Sequence, residues 1–219
     1  MPSKAHTAPS PGAKDQILES AIFLMRQSGL SGAGINQILA HSKAPKGSMY
    51  YYFPRGKLQL TAEALKLHGD RVAVAFEQTL ASEEHPAEKV RSLFRLIASR
   101  LEQGNFEQSC AAGAVALDIQ DDVVELRAVV ANVMASWQAI VARYLPMGSR
   151  ARTRSFAGLV ISAIEGGYIR GRAERSREPL LEAGEWLAQL AAKGGKPVQP
   201  DSTVGRKRPE GTRHSRGRP

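Results

Sequence analysis

From about residue 13 to residue 190, apolar side chains return at three- and four-residue spacing in one segment after another, a period that only an α-helix places on one face. Ile17, Leu18, Ala21, Ile22, Leu24 and Met25 predict a helix over 13–28 that Gly29 ends, and Ile38 and Leu39 a short one over 35–40. Leu58, Ala62, Leu65, Val72, Phe76 and Leu80 predict a long helix over 57–80, in which Gly69 costs about 1 kcal/mol relative to alanine. Further helices are expected over 87–101, 110–117, 121–145 and 150–172, and Pro179 begins a last one. The apolar face of 121–145, from Val123 through Met134 and Trp137 to Tyr144, is broad enough to predict a central helix. No hairpin signal, Gly-rich phosphate loop or internal repeat interrupts the pattern, so the expected fold is all-α.

Within that pattern, residues 44–58 concentrate chemistry. Pro45 suits the first turn of a helix, with Lys46 and Ser48 on its leading edge, then Tyr50, Tyr51 and Tyr52, and Pro54 as a stop before Lys57 opens the next helix. Cations and phenol hydroxyls at neighbouring helix N-termini suit phosphate. The short 35–40 helix precedes Pro45 by a turn of about four residues, which is helix-turn-helix spacing. Met49 and Phe53 are expected in the core, and Asn36 and Gln37 outside, facing either a DNA backbone or water.

Charge supports a nucleic-acid partner by its distribution. The net +9 resolves into +5 over residues 1–66, −2 over 67–192 and +6 over 193–219. No run of about 18 apolar residues and no signal-peptide region is evident, so neither a membrane partner nor secretion is expected and the cytoplasm is the default location. The five histidines are scattered and fall in no metalloprotease or hydrolase motif; no catalytic set, metal site or cofactor is expected. The single cysteine, Cys110, reads as a buried small hydrophobe rather than a sensor thiol, since no cation lies beside it in sequence.

The succession of helix, glycine, short helix, turn, Lys46-Gly47-Ser48-Met49-Tyr50-Tyr51-Tyr52-Phe53 and Lys57-Leu58 resembles the N-terminal domain of the TetR family of bacterial transcriptional repressors across residues 13–60. Ala44–Ser48, the Phe53-Pro54-x-Gly56-Lys57 run and the Cys110–Leu117 segment resemble its LmrA/YxaF branch more particularly. Tyr52 stands where the family usually has histidine, and a phenol still donates to phosphate. The resemblance implies groove-facing Lys46 and Ser48, phosphate contacts from Tyr50, Tyr52 and Lys57, and a DNA-binding set completed by Gly47, Tyr51, Asn36 and Gln37. It also implies an effector cavity in the second domain, for which Phe94, Phe106, Cys110, Met134, Trp137 and Tyr168 are the candidates, and a planar aromatic effector. Dimerisation through the last two long helices follows from the same resemblance, with Ala157, Gly158, Ser162, Ala163, Gly166, Gly167 and Gly171 allowing close packing.

The expected organisation is an arm at 1–11, a three-helix DNA-binding domain at 12–60, a helical effector-binding and dimerisation domain at 61–193 and a disordered basic tail at 194–219. The expected function is a repressor released from a palindromic operator by a small apolar or aromatic effector. The rival is a non-specific DNA-packaging protein that uses the basic tail; a well-patterned apolar second domain argues against it.

Overall fold

The computed structural model describes residues 12–119 and 124–194; the expected arm, the start of the helix at Asp121 and the basic tail beyond Gly194 lie outside the described residues. Among the described residues the chain is helical throughout: α1 (Ala13–Gly32), α2 (Ile35–Ser42), α3 (Lys46–Tyr52), α4 (Lys57–Ala81), α5 (Pro86–Gln103), α6 (Ala111–Asp118), α7 (Val124–Tyr144), α8 (Arg150–Glu174) and α9 (Glu178–Gly194). Local chemistry starts several of them. Pro86 occupies the first turn of α5, the Ser149 hydroxyl accepts from the Arg152 N–H at 3.3 Å at the head of α8, and the Cys110 sulfur accepts from the Gly113 N–H at 3.5 Å at the head of α6.

The helices α1 to α3 close over Ile17, Met25, Met49 and Phe53, and α4 packs against α1 before running on to meet α5 and α7. The buried side chains from Ile17 to Ala191 form one continuous cluster, and α4 carries the chain from the first three helices into the rest of it. Gly29 ends the regular part of α1 as expected: its φ 69°, ψ −166° is a non-helical conformation that favours glycine, and a separate short turn beyond it carries the element to Gly32.

The interior glycine of α4 has a packing reason. A methyl group on Gly69 would lie 2.9 Å from both γ carbons of Val133, and the Gly69 carbonyl accepts from the Trp137 indole at 3.0 Å. The helix α7 is not central as expected. Leu126, Val130, Val133, Trp137, Ile140 and Val141 are buried against its neighbours, α4 and α8 among them, while residues 131, 132, 135 and 136 face solvent. Its composition alone would suit a membrane span, but the apolar stripe is spent on this packing.

The helices α5 and α9 approach closely at Gly184, where an added methyl would meet Phe94 Cβ at 2.6 Å and Cγ at 2.8 Å. Phe94 is fully buried, and its Cβ is fixed to the backbone of α5, so a rotamer change cannot relieve that contact. Gly184→Ala is therefore expected to cost about 1–3 kcal/mol by overpacking, despite the helix propensity it gains. Thermal unfolding followed by circular dichroism should show a midpoint lowered by roughly 2–10 °C. A variant as stable as the parent would mean that α5 and α9 can separate at no cost.

Candidate nucleic-acid interface and interior cavity

On α3, positions 46, 47, 50 and 51 fall on one side of a 3.6-residue turn, and all four are exposed. Tyr50 and Tyr51 are 63% and 66% exposed, which is unusual for rings of that size with no partner covering them. Nothing lies within 4 Å of a side chain added at Gly47, so this edge of α3 is open to a close approach. Met49 and Phe53 anchor the opposite side at 0% exposure, as their spacing predicts. Tyr52 is half-buried and stands edge-on to Tyr51, ring centroids 5.0 Å apart.

Two of the expected DNA contacts are placed differently. Ser48 is 3% exposed and lies beside Met49 on the inward face, where it cannot meet a base as it stands. The Lys57 ammonium donates to the Leu30 carbonyl at 2.7 Å, an acceptor left without a helical partner by the break at Gly29. Burial lowers the Lys57 pKa, and the nearby Asp118 carboxylate partly offsets this. On α2, Asn36 and Gln37 are exposed as expected, though the Gln37 carbonyl oxygen is already used, accepting from the Gly34 N–H at 3.0 Å.

A cavity of about 460 Å³ lies between α1, α4, α5, α7, α8 and the segment before α6. Ile22, Val72, Phe76, Ile97, Trp137, Ile161 and Ile164 make its apolar wall; Glu19, Arg26, His68, Arg71, Arg100, Cys110, Glu165 and Tyr168 supply polar groups. Apolar walls with a few convergent polar groups are the usual make-up of a small-molecule site. A more open cavity of about 950 Å³, which shares Glu165 and Tyr168, is lined by Phe106, Met134, Leu117 and Ile169. Of the six expected ligand residues, Cys110, Trp137 and Tyr168 thus line the first cavity and Phe106, Met134 and Tyr168 the second. Phe94 lines neither, because it is packed beneath Gly184.

The polar groups carry distinct charge states. Burial, then the neighbouring Arg26, Arg100 and Arg71, push the His68 pKa down to about 4, so its imidazole is neutral near pH 7. Burial, with Glu165 beside it, holds the Cys110 thiol well above the usual range and keeps it protonated, the opposite of a reactive thiolate. Burial raises the Glu165 and Tyr168 pKa values too, and the Cys110 hydrogen bond offsets part of the rise at Glu165.

Cavity and head share one short helix. Cys110 caps the N-terminus of α6 on the cavity wall; at its other end Asp118 accepts from the Ser31 N–H at 2.9 Å, beside Gly29 and Lys57. The last turns of α1 are held again by Arg26, whose carbonyl accepts from the Ser109 N–H at 2.8 Å, and by Arg172, which donates to the Gln27 carbonyl at 3.2 Å. Arg55, after α3, makes a two-pronged ion pair with Glu125 of α7, 3.1 Å in each arm. None of Arg55, Asp118, Arg100, His68 or Glu165 stands out in the sequence, because a single polar residue in an amphipathic helix, or in a turn as at Arg55, reads as solvated surface.

Residues 86–186 match the family model described as the C-terminal domain of LmrA/YxaF-like transcriptional regulators. The chain is 30% identical over 185 residues to the helix-turn-helix-type transcriptional regulator YxaF of Bacillus subtilis strain 168, covering 84% of this chain and 97% of that one. It belongs to the TetR family of transcriptional regulators. The fold is shared with the crystal structure of a regulatory protein TetR from Rhodobacter sphaeroides (TM-score 0.74, 19% identity, 82% of this chain and 99% of that one). It is also shared with the TetR family regulator CifR complexed with 26 bp operator DNA (TM-score 0.70, 18% identity, 80% and 95%). As a TetR family member the chain is a DNA-binding regulator and not an enzyme, and α1 to α3 are its helix-turn-helix head.

Proposed function

We propose that this TetR family protein is a homodimeric repressor that holds a palindromic operator through α3 and releases it when a small apolar or aromatic effector enters the interior cavity. The observation that carries the reading is α6, eight residues long, with Cys110 on the cavity wall at one end and Asp118 hydrogen-bonded to the head at the other. A ligand that moves the N-terminal end of α6 against Glu165 displaces the carboxylate that holds Ser31. The head then turns relative to its partner, and the two α3 helices no longer fit successive major grooves about 34–36 Å apart. A hundredfold loss of operator affinity requires about 2.7 kcal/mol of preferential effector binding to the released arrangement.

Dimerisation is supported by apolar side chains left without cover: Leu159 and Ile169 on α8, and Trp186 and Leu190 on α9. DNA binding through α3 is supported by its exposed Lys46, Gly47, Tyr50 and Tyr51 and by the shared fold of CifR, whose structure is a complex with operator DNA.

The test begins with operators selected from genomic DNA by the purified protein. Lys46→Ala is expected to relax base preference at one or two positions of each half-site. Tyr50→Phe, which removes one hydroxyl from a phosphate contact, should weaken operator and random DNA alike by about 3–10-fold. Equal losses for Lys46→Ala on every sequence would show that it contacts only the backbone, and no loss for either variant would remove α3 from the interface.

A further inference from the structure

The cavity reading leaves one group unexplained. Arg26 donates through Nε to the Ser109 carbonyl at 3.1 Å and Arg71 is paired with Glu19, but the guanidinium of Arg100 has no hydrogen-bond or ion-pair partner among the described residues. Arg100 stands on the wall of the 460 Å³ cavity. A guanidinium offers five N–H donors in a fixed planar fork, and this one, half-enclosed on the cavity wall with none of them engaged, is open to an anionic acceptor.

From this geometry we infer that the effector is an apolar molecule bearing a carboxylate or similar anionic group, seated with its body against Trp137 and its anion on Arg100. The inference rests on the reading of this cavity as the effector site. The surroundings agree with it. The wall near His68 is electropositive enough that Arg26, Arg100 and Arg71 together help keep that imidazole neutral, leaving it free to donate one N–H to the same anion. Glu165 also lines the cavity, but it accepts a hydrogen bond from Cys110 and burial favours its protonated form, so it opposes an anionic ligand weakly. The planar two-pronged donor of Arg100 matches a carboxylate in shape as well as charge.

Calorimetric titration of the full-chain protein with three probes of equal ring size tests the inference: 2-naphthoate, 2-naphthamide and 2-naphthylmethylammonium. The naphthoate is expected to bind at least about tenfold more tightly than the amide, and the ammonium most weakly. Arg100→Gln should bring naphthoate down to the amide's affinity and leave the amide unchanged, while Arg100→Lys should keep part of the difference. Equal binding of naphthoate and amide by the wild-type protein would overturn the anionic requirement while leaving the cavity as a ligand site, and this comparison does not depend on any variant folding. Tighter binding of the ammonium would overturn it in favour of Glu165, and an undiminished naphthoate preference in Arg100→Gln would overturn the role of Arg100. Failure of all three probes to bind would overturn the effector-site reading itself, and this inference with it.

Discussion

A chain carrying both Trp186→Asp and Leu190→Asp is expected to sediment as a monomer and to bind operator at least about a hundredfold more weakly than the parent. The two side chains are 70% and 48% exposed and stand one helical turn apart on α9. Leu159 and Ile169 supply the matching apolar surface on α8 at 49% and 61% exposure, with Ser162 and Gly166 between them keeping that face low. Placing two carboxylates in the middle of such a face would require burying them without counter-ions, which costs more than the apolar contact returns. The protomer itself loses nothing, since neither residue touches its core, and circular dichroism should be unchanged. The DNA effect is large because a dimer's second half-site binds at the high effective concentration set by the first, and a monomer loses that advantage. A double variant that remains dimeric would place the interface elsewhere. One that is monomeric yet binds operator normally would overturn the two-half-site reading.

The second large effect is expected at Asp118, where Asp118→Ala should leave both operator binding and effector binding close to normal but reduce their mutual antagonism from about a hundredfold to below about fivefold. The carboxylate is the acceptor for the Ser31 N–H and acts electrostatically on Lys57, while the cavity lies at the far end of α6 around Cys110 and Glu165. Removing it cuts the link while touching neither α3 nor the lining of the 460 Å³ cavity. Asp118→Asn keeps one acceptor oxygen and should keep part of the coupling. Because coupling is reciprocal, the same drop must appear when effector affinity is measured with and without operator, using a ligand found by screening for operator release. Undiminished release in Asp118→Ala would move the coupling to α4, whose Gly69 carbonyl is tied to the cavity-wall Trp137.

Local signals are enough to place the helices. Proline at residues 45, 54 and 86, glycine at 29 and 104, and a 3.6-residue apolar period act within a few positions of themselves, and the helix bounds follow them to within a few residues. The same locality makes the exposed face of α3 readable, because Met49 and Phe53 are the only large apolar anchors at its spacing and their burial forces Lys46, Gly47 and Tyr50 outward. The tertiary structure alone decides which way ambiguous side chains turn. Ser48 goes inward and Lys57 caps α1; Phe94 is sealed beneath Gly184 while Trp137 and Tyr168 reach the cavity; α7 buries one side rather than all of its broad apolar surface. Such outcomes depend on neighbours remote in sequence: Leu30 lies 27 residues from Lys57, and Gly69 lies 68 from Trp137. Periodicity states that a residue belongs to a face, but which partner that face meets, and whether a charge such as Arg100 meets a counter-ion or a cavity, is set by how the helices pack.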